Sequence, residues 1–182
     1  RAALIDAEAI PSLVLMANNP DNTSETRACF AFAMAHISKT DDGRNALITA
    51  EAIPPLVLMA KSDNTPHGRS HIAVVMVNIS KTDDGRNALI TAKAIPPLVL
   101  MAKSDNTPNG RSHIALAMAK ISATDDGKNS LIAAEAISSL LFIAIKPDNT
   151  QNGRQSIALA MKRISATDNG LNTLIETLVF GQ

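Results

Sequence analysis

The sequence predicts an all-α protein, a right-handed solenoid built from stacked three-helix repeats. Three observations carry this prediction. A Gly-Arg-Asn-Ala-Leu-Ile segment that starts at Gly43 recurs from Gly85, and in looser form from Gly127 and Gly170, at spacings of 42, 42 and 43 residues (85 − 43, 127 − 85 and 170 − 127). Within each unit the apolar residues follow helical spacing. The chain has no Tyr or Trp and its valines fall at helical spacing, so no β-strand is predicted.

The recurrence indicates that the chain is a single array. We expect repeats at about 1–42, 43–84, 85–126 and 127–169, followed by a partial fifth repeat, 170–182. Units 43–84 and 85–126 differ at only seven of 42 positions, which indicates recent duplication or deliberate construction. One unit cannot bury its own apolar faces, so the units are expected to stack around one continuous core. The chain starts inside the pattern, and we therefore expect it to be a fragment of a longer protein.

Each unit is expected to contain three helices. The first is short, about 44–49, and Thr40-Asp41-Asp42 before it can cap its free N–H groups and place negative charge at its positive end. The second begins near Ile53-Pro54, because proline in a first turn removes no helical hydrogen bond. The third follows Thr65-Pro66 and runs to about Ser80.

Composition narrows the possible functions. The 17 basic and 17 acidic residues give a formal net charge of zero, so the chain lacks the excess positive charge typical of nucleic-acid binding. No apolar run approaches the roughly 20 residues that a membrane span needs, which predicts no membrane segment. The single cysteine, Cys29, excludes an internal disulfide and fits the cytoplasm or nucleus. We interpret Cys29 as a small buried apolar residue.

The motifs of these units resemble the armadillo-repeat family. Ala52-Ile53-Pro54-Pro55-Leu56-Val57 resembles the signature of the second armadillo helix, and Val77-Asn78-Ile79-Ser80 resembles the end of the third. The fold class implied is an α-solenoid of armadillo-type three-helix repeats, rather than the two-helix HEAT repeats that are the nearest competing fold. Asn64-Thr65-Pro66-His67-Gly68-Arg69 is similar, more weakly, to the armadillo arrays of plant U-box ubiquitin ligases.

The armadillo resemblance implies a concave groove, lined by third helices, that holds an extended peptide. In the family an asparagine near the helix end bonds the peptide backbone, and a tryptophan one turn earlier forms a pocket wall. Of these two, this chain keeps one asparagine and no tryptophan. The equivalent positions are His36, Asn78, Lys120 and Arg163 for the asparagine, and Phe32, Val74, Leu116 and Leu159 for the tryptophan. We therefore expect groove binding with a different chemistry from the family's tryptophan–asparagine pair.

Helical spacing assigns 24 residues of the four third helices to the groove, and none of them is acidic. Most of the acids fall in the connections between helices, so the groove is expected to be basic with an apolar floor and acidic edges. Four of the seven differences between units 43–84 and 85–126 fall in the six groove positions, which favours recognition over random drift. The candidate peptide-binding residues are Phe32, His36, His71, Val74, Asn78, His113, Leu116, Lys120, Leu159, Lys162 and Arg163.

Three further features are predicted to be structural or non-catalytic. Arg27, Arg69, Arg111 and Arg154 recur once per unit, and we favour pairing with connection aspartates such as Asp42, Asp84 or Asp126 over a grip on a partner's acids. His71 and His113 are too far apart on packed helices to share a metal ion. No phosphate loop, nucleophilic trio or inward carboxylate pair is evident, so neither cofactor, metal nor catalytic residue is expected.

These observations predict a non-enzymatic protein–protein interaction module that binds an extended peptide with acidic and apolar residues. The alternatives are a nucleic-acid-binding helical array, which the scarcity of aromatics disfavours, and a structural spacer in a larger protein. Apolar residues at both ends, Ala2-Ala3-Leu4-Ile5 and Leu178-Val179-Phe180, also lead us to expect end-to-end self-association or coverage by further residues.

Overall fold

The computed structural model describes residues 9–62, 64–104 and 106–180. Within these ranges the chain forms twelve α-helices and no β-strand, which confirms the predicted fold class. The helices are α1 (Ala9–Ala17), α2 (Ser24–Ile37), α3 (Asp41–Thr49), α4 (Ile53–Lys61), α5 (Pro66–Ile79), α6 (Asp83–Thr91), α7 (Ile95–Ala102), α8 (Pro108–Ile121), α9 (Asp125–Ala133), α10 (Ala136–Ala144), α11 (Gln151–Ile164) and α12 (Asp168–Phe180).

The helices recur in the predicted order of first, second and third. The first helices are α3, α6, α9 and α12, the second are α1, α4, α7 and α10, and the third are α2, α5, α8 and α11. Successive third helices pack along the array, as do successive second helices. Their inward side chains, such as Leu56, Met76, Leu98 and Met118, are fully buried in one continuous core. The expected apolar segment Ala2-Ala3-Leu4-Ile5 lies outside the described residues.

Threonine starts the first and third helices, as the sequence indicates. The Thr82 hydroxyl accepts a hydrogen bond from the Gly85 backbone N–H at 3.1 Å, which satisfies one of the donors left free at the start of α6. Gly85 is also the point where the preceding third helix approaches most closely. A Cβ there would lie 1.9 Å from the Ile79 carbonyl oxygen. The glycine that marks each repeat in the sequence is therefore required by this close approach.

The junction between first and second helices contains a non-glycine residue in the left-handed backbone region. Glu51, Lys93 and Glu135 have φ values of 56°, 56° and 59°. The Ala52 N–H bonds the Leu47 carbonyl at 2.9 Å and the Glu51 N–H bonds the Ile48 carbonyl at 3.0 Å. This is the hydrogen-bond pattern of a Schellman motif, whose left-handed position normally holds glycine. Each junction therefore carries backbone strain.

An arginine–asparagine network ties each third helix to the next repeat. The Arg69 Nε donates to Asn106 Oδ1 at 2.9 Å, and the Arg69 guanidinium also donates to the Asn64 carbonyl. The Asn106 amide in turn donates to the Met101 carbonyl at 2.7 Å, at the end of α7. The same network joins Arg27 to Asn64 and Arg111 to Asn149. It holds neighbouring third helices in a fixed register.

Two expectations from the sequence are wrong in detail. The recurrent arginines bond Asn64, Asn106 and Asn149, which was not expected; Arg111 also pairs with a connection aspartate as expected, but this is Asp148 rather than one of the three named examples, Asp42, Asp84 and Asp126. Cys29 is exposed rather than buried, because it occupies the position in α2 that is equivalent to the groove residue His71 in α5. No described helix is long and apolar enough to cross a membrane.

Candidate functional site

The groove is defined here as the exposed side of the third helices. Of the eleven candidate residues, five are exposed, five are half-buried and one is buried. The half-exposed Phe32 and Leu159 have exposed fractions of 50% and 40% and give the groove an apolar floor at both ends. The exposed residues are Phe32, His36, Lys120, Leu159 and Lys162; the half-buried ones are His71, Val74, His113, Leu116 and Arg163; and Asn78 is buried.

The amino-terminal end of the groove is an aromatic cluster. The Phe32 ring lies 4.4 Å from the His36 ring, and 5.0 Å from the His71 ring in an edge-to-face arrangement, measured between ring centroids. Burial lowers the pKa of His71, and the neighbouring His67 and His36 lower it further. The lowered pKa favours the neutral form of the His71 imidazole beside the Phe32 ring.

A cavity of about 400 Å³ lies between α8 and α11, the last two third helices of the groove. His113 is fixed here, with its Nδ1 3.0 Å from the Ser70 hydroxyl of the preceding third helix. Burial, and to a smaller extent the charge of His71, lowers the pKa of His113. The cavity offers amide and hydroxyl groups beside two leucines. Its lining is Ser112, His113, Leu116, Asn152, Gln155, Ser156 and Leu159.

The groove is cationic along the carboxyl-terminal ends of its third helices. Lys120 and Lys162 are exposed. The pKa of Lys81 is lowered, most strongly by burial and then by the positive charges of Arg44 and Lys120, so Lys81 and Lys120 are near neighbours. None of the ion pairs among the described residues involves Lys120 or Lys162. Asp83, for example, pairs with Arg86 at the start of α6. The groove therefore keeps its positive charge in a chain of zero net charge.

Two of the four residues at the armadillo asparagine position, Asn78 and Arg163, form hydrogen bonds to the neighbouring repeat. The Asn78 amide donates to the Ser38 hydroxyl at 3.0 Å and is only 7% exposed. The Arg163 guanidinium donates to the Ala119 carbonyl of the preceding third helix. Each side chain thus connects neighbouring repeats. Reversing the charge of Arg163 would therefore also remove an inter-repeat hydrogen bond.

The described residues contain no group of three or more His, Cys, Asp or Glu side chains placed to hold a metal ion. His71 and His113 instead contact ring and hydroxyl groups of the adjacent third helix. The arrangement of the groove provides apolar contact, hydrogen bonding and positive charge along successive repeats. These are the properties of a surface for recognition.

Comparison with solved structures defines the class of the protein. An engineered protein from the Northeast Structural Genomics Consortium matches with a TM-score of 0.83 and 23% identity, over 99% of this chain and 74% of that one. Computationally designed armadillo repeat proteins for modular peptide recognition match with a TM-score of 0.76 and 24% identity, over 92% and 69%. A designed armadillo repeat protein in complex with the peptide (KR)4 matches with a TM-score of 0.74 and 23% identity, over 92% and 69%.

No protein-family model matches the sequence, and no curated protein does. The structural matches nevertheless agree with the motifs in the sequence. The chain has the armadillo fold, an all-α solenoid of repeats whose third helices line one face.

Proposed function

We propose that this chain is a non-enzymatic interaction module whose groove binds an extended polypeptide that carries acidic and apolar side chains. The observation that carries this proposal is the chemistry of the exposed side of the third helices. Phe32 and Leu159 are exposed apolar anchors, and Lys120 and Lys162 are exposed cations. Apolar anchors supply affinity, while the lysines select for negative charge and steer the ligand to the groove.

The structural neighbours support a binding role and suggest the contrast that tests it. One neighbour was designed for modular peptide recognition, and another was solved with the basic peptide (KR)4. The groove of this chain should instead favour an acidic peptide, because Lys120, Lys162 and Arg163 would repel a basic one. We therefore expect (KR)4 to bind far more weakly than an acidic peptide of equal length.

The test measures fluorescence anisotropy of two labelled eight-residue peptides, (EL)4 and (KR)4, titrated with the chain. We expect saturable binding of (EL)4, and the Lys120→Glu/Lys162→Glu variant should raise its Kd at least about tenfold, or 1.4 kcal/mol. Both lysines are exposed, so the variant should retain its helical circular dichroism. Arg163 is left unchanged because of its hydrogen bond to Ala119.

The matched control reverses two lysines outside the groove. The Lys93→Glu/Lys128→Glu variant has the same net charge as the groove variant, and glutamate already occupies the position equivalent to Lys93 at Glu51 and Glu135. Equal loss of binding in both variants would show that only net charge matters and would refute the groove. Tight binding of a single-stranded oligonucleotide, lost in the groove variant, would favour a nucleic-acid-binding array instead.

A further inference from the structure

A row of apolar side chains crosses the second helices, away from the groove. Leu15, Leu58, Leu100 and Phe142 occupy equivalent positions of α1, α4, α7 and α10, and we call them the outer row. Leu15 is 77% exposed, Leu100 58% and Phe142 39%, while Leu58 is half-buried. Single exposed leucines are ordinary on protein surfaces. An apolar residue repeated at one position of four stacked helices is a continuous surface feature.

The outer row ends at a cavity of about 450 Å³ between the third and fourth repeats, which we call the edge cavity. Phe142 forms one wall, and the Lys146 ammonium lies 4.5 Å from the centre of its ring. Lys103 is exposed on the opposite repeat. The described residues of the lining are Lys103, Ser104, Asn106, Arg111, Phe142, Lys146 and Asp148.

The charges of the edge cavity leave two ammonium groups for a ligand. Among the described residues of the lining the one acid is Asp148, which pairs with Arg111, and that hydrogen bond lowers the pKa of Asp148. Among the described residues, neither Lys103 nor Lys146 forms an ion pair. The Arg111–Asp148 pair is neutral as a whole. The net charge of the described lining is therefore positive.

The edge cavity lies where the connection between the second and third helices is one residue longer than in the preceding repeat. Six residues separate α10 from α11, whereas five separate α7 from α8 (145–150 against 103–107). The longer connection contains Lys146 and Pro147 and accounts for the 43-residue spacing from Gly127 to Gly170. Position 142 also differs, with phenylalanine where the two preceding repeats have leucine. A six-residue connection also separates α1 from α2 (18–23), so the phenylalanine at position 142 is what distinguishes this junction.

We propose that the edge cavity and the outer row form a second interaction surface, independent of the groove, for a polypeptide segment that places a carboxylate beside an apolar side chain. The carboxylate meets Lys103 and Lys146, and the apolar side chain packs on Phe142 and Leu100. A side chain must protrude to enter a cavity between two repeats. A polypeptide can supply one, whereas a flat lipid surface would contact only the row.

The test uses the absence of tryptophan from the chain. A Phe142→Trp variant carries one fluorophore at the cavity and keeps an aromatic ring there. We titrate it with an acetylated peptide, (EL)4, and expect a saturable emission change. Adding Lys103→Glu/Lys146→Glu should raise the half-saturating concentration at least about tenfold, and adding Lys120→Glu/Lys162→Glu should change it by less than about twofold.

Two controls separate this surface from the groove and from lipid. A Phe32→Trp variant reports on the groove, and its response to (EL)4 should persist after Lys103→Glu/Lys146→Glu. Leu100→Trp is a second reporter on the outer row if Phe142→Trp loses helical circular dichroism. The proposal is overturned if neither row reporter responds to (EL)4, if the cavity charge reversal leaves the response unchanged, or if only phosphatidylserine vesicles elicit it.

Discussion

Glycine at the junctions between first and second helices should stabilise the array. Glu51, Lys93 and Glu135 adopt left-handed backbone conformations with φ between 56° and 59°. A left-handed conformation costs an ordinary residue about 1–2 kcal/mol, and glycine avoids this because it has no Cβ. We therefore expect the triple variant Glu51→Gly/Lys93→Gly/Glu135→Gly to unfold at a higher urea concentration than the parent.

The size of the gain follows from two opposing terms. Relief of the left-handed strain contributes about 1–2 kcal/mol at each site, and the greater freedom of glycine in the unfolded chain removes about 0.5–1 kcal/mol. The net gain is about 0.5–1 kcal/mol per junction, or roughly 1.5–3 kcal/mol for three junctions if they act independently. Urea unfolding followed by circular dichroism at 222 nm measures it, and the slope should stay unchanged.

Alanine at the same three positions is the matched control. It removes the same charged side chains but keeps a Cβ, so the left-handed strain remains. A second control, Ala50→Gly, places glycine at a neighbouring position whose φ is −81° and should cost about 0.5–1 kcal/mol. The reasoning is refuted if the triple alanine variant gains as much stability as the triple glycine variant.

Further predictions concern the close approach of Gly85 to the Ile79 carbonyl, the arginine–asparagine network between repeats, and the pH dependence of stability. Gly85→Ala should destabilise the array by about 1–3 kcal/mol in urea unfolding, because a Cβ there meets a carbonyl oxygen at 1.9 Å; an unchanged midpoint would contradict that geometry. Asn106→Ala should cost about 2–3 kcal/mol, since it breaks bonds to Arg69 and to the end of α7. Asn22→Ala should cost less, because the Asn22 amide donates to a single carbonyl, and equal losses would refute the network. Burial lowers the pKa of His113 below 6.5, so as the pH falls the unfolded chain protonates this imidazole before the folded chain does. The free energy of unfolding should therefore decrease below about pH 6.5. The His113→Asn variant should show a smaller decrease over the same pH range.

Local sequence signals were sufficient to predict the helices. Threonine followed by Asp-Asp or proline marks helix starts, because a hydroxyl cap and a missing N–H each satisfy the geometry of a first turn. The observed first helices begin at Asp41 and its equivalents, about three residues earlier than expected, since the capping acids belong to the first turn. The stacking followed from the repeat itself.

Tertiary partners were harder to predict, for identifiable physical reasons. The asparagine partners of the arginines were missed because arginine was matched to aspartate by charge. An asparagine side chain can accept a hydrogen bond from an arginine and donate one to the end of a helix, as Asn106 does. The fixed spacing of five residues from Asn64 to Arg69, repeated in every unit, was the available signal. Cys29 was judged by residue type, but the equivalent positions hold His71 and His113, which indicates a surface position.

The expected end-to-end association stays a prediction. The structure describes α12 as one helix with exposed Leu171, Ile175, Leu178 and Val179, and the side chain of Phe180 lies outside the described residues. An apolar face of this kind needs a cover, supplied by a second copy or by further repeats of a longer chain.

Methyl NMR of the chain with (EL)4 tests the central claim most directly. Leucine and valine methyl groups report on the groove at Val74, Leu116 and Leu159, and on the buried core at Leu56. The account predicts saturable shifts at the three groove positions, abolished by Lys120→Glu/Lys162→Glu, with Leu56 unmoved. The account would be contradicted if the groove methyl signals did not shift at saturating peptide, or if they still shifted in the Lys120→Glu/Lys162→Glu variant.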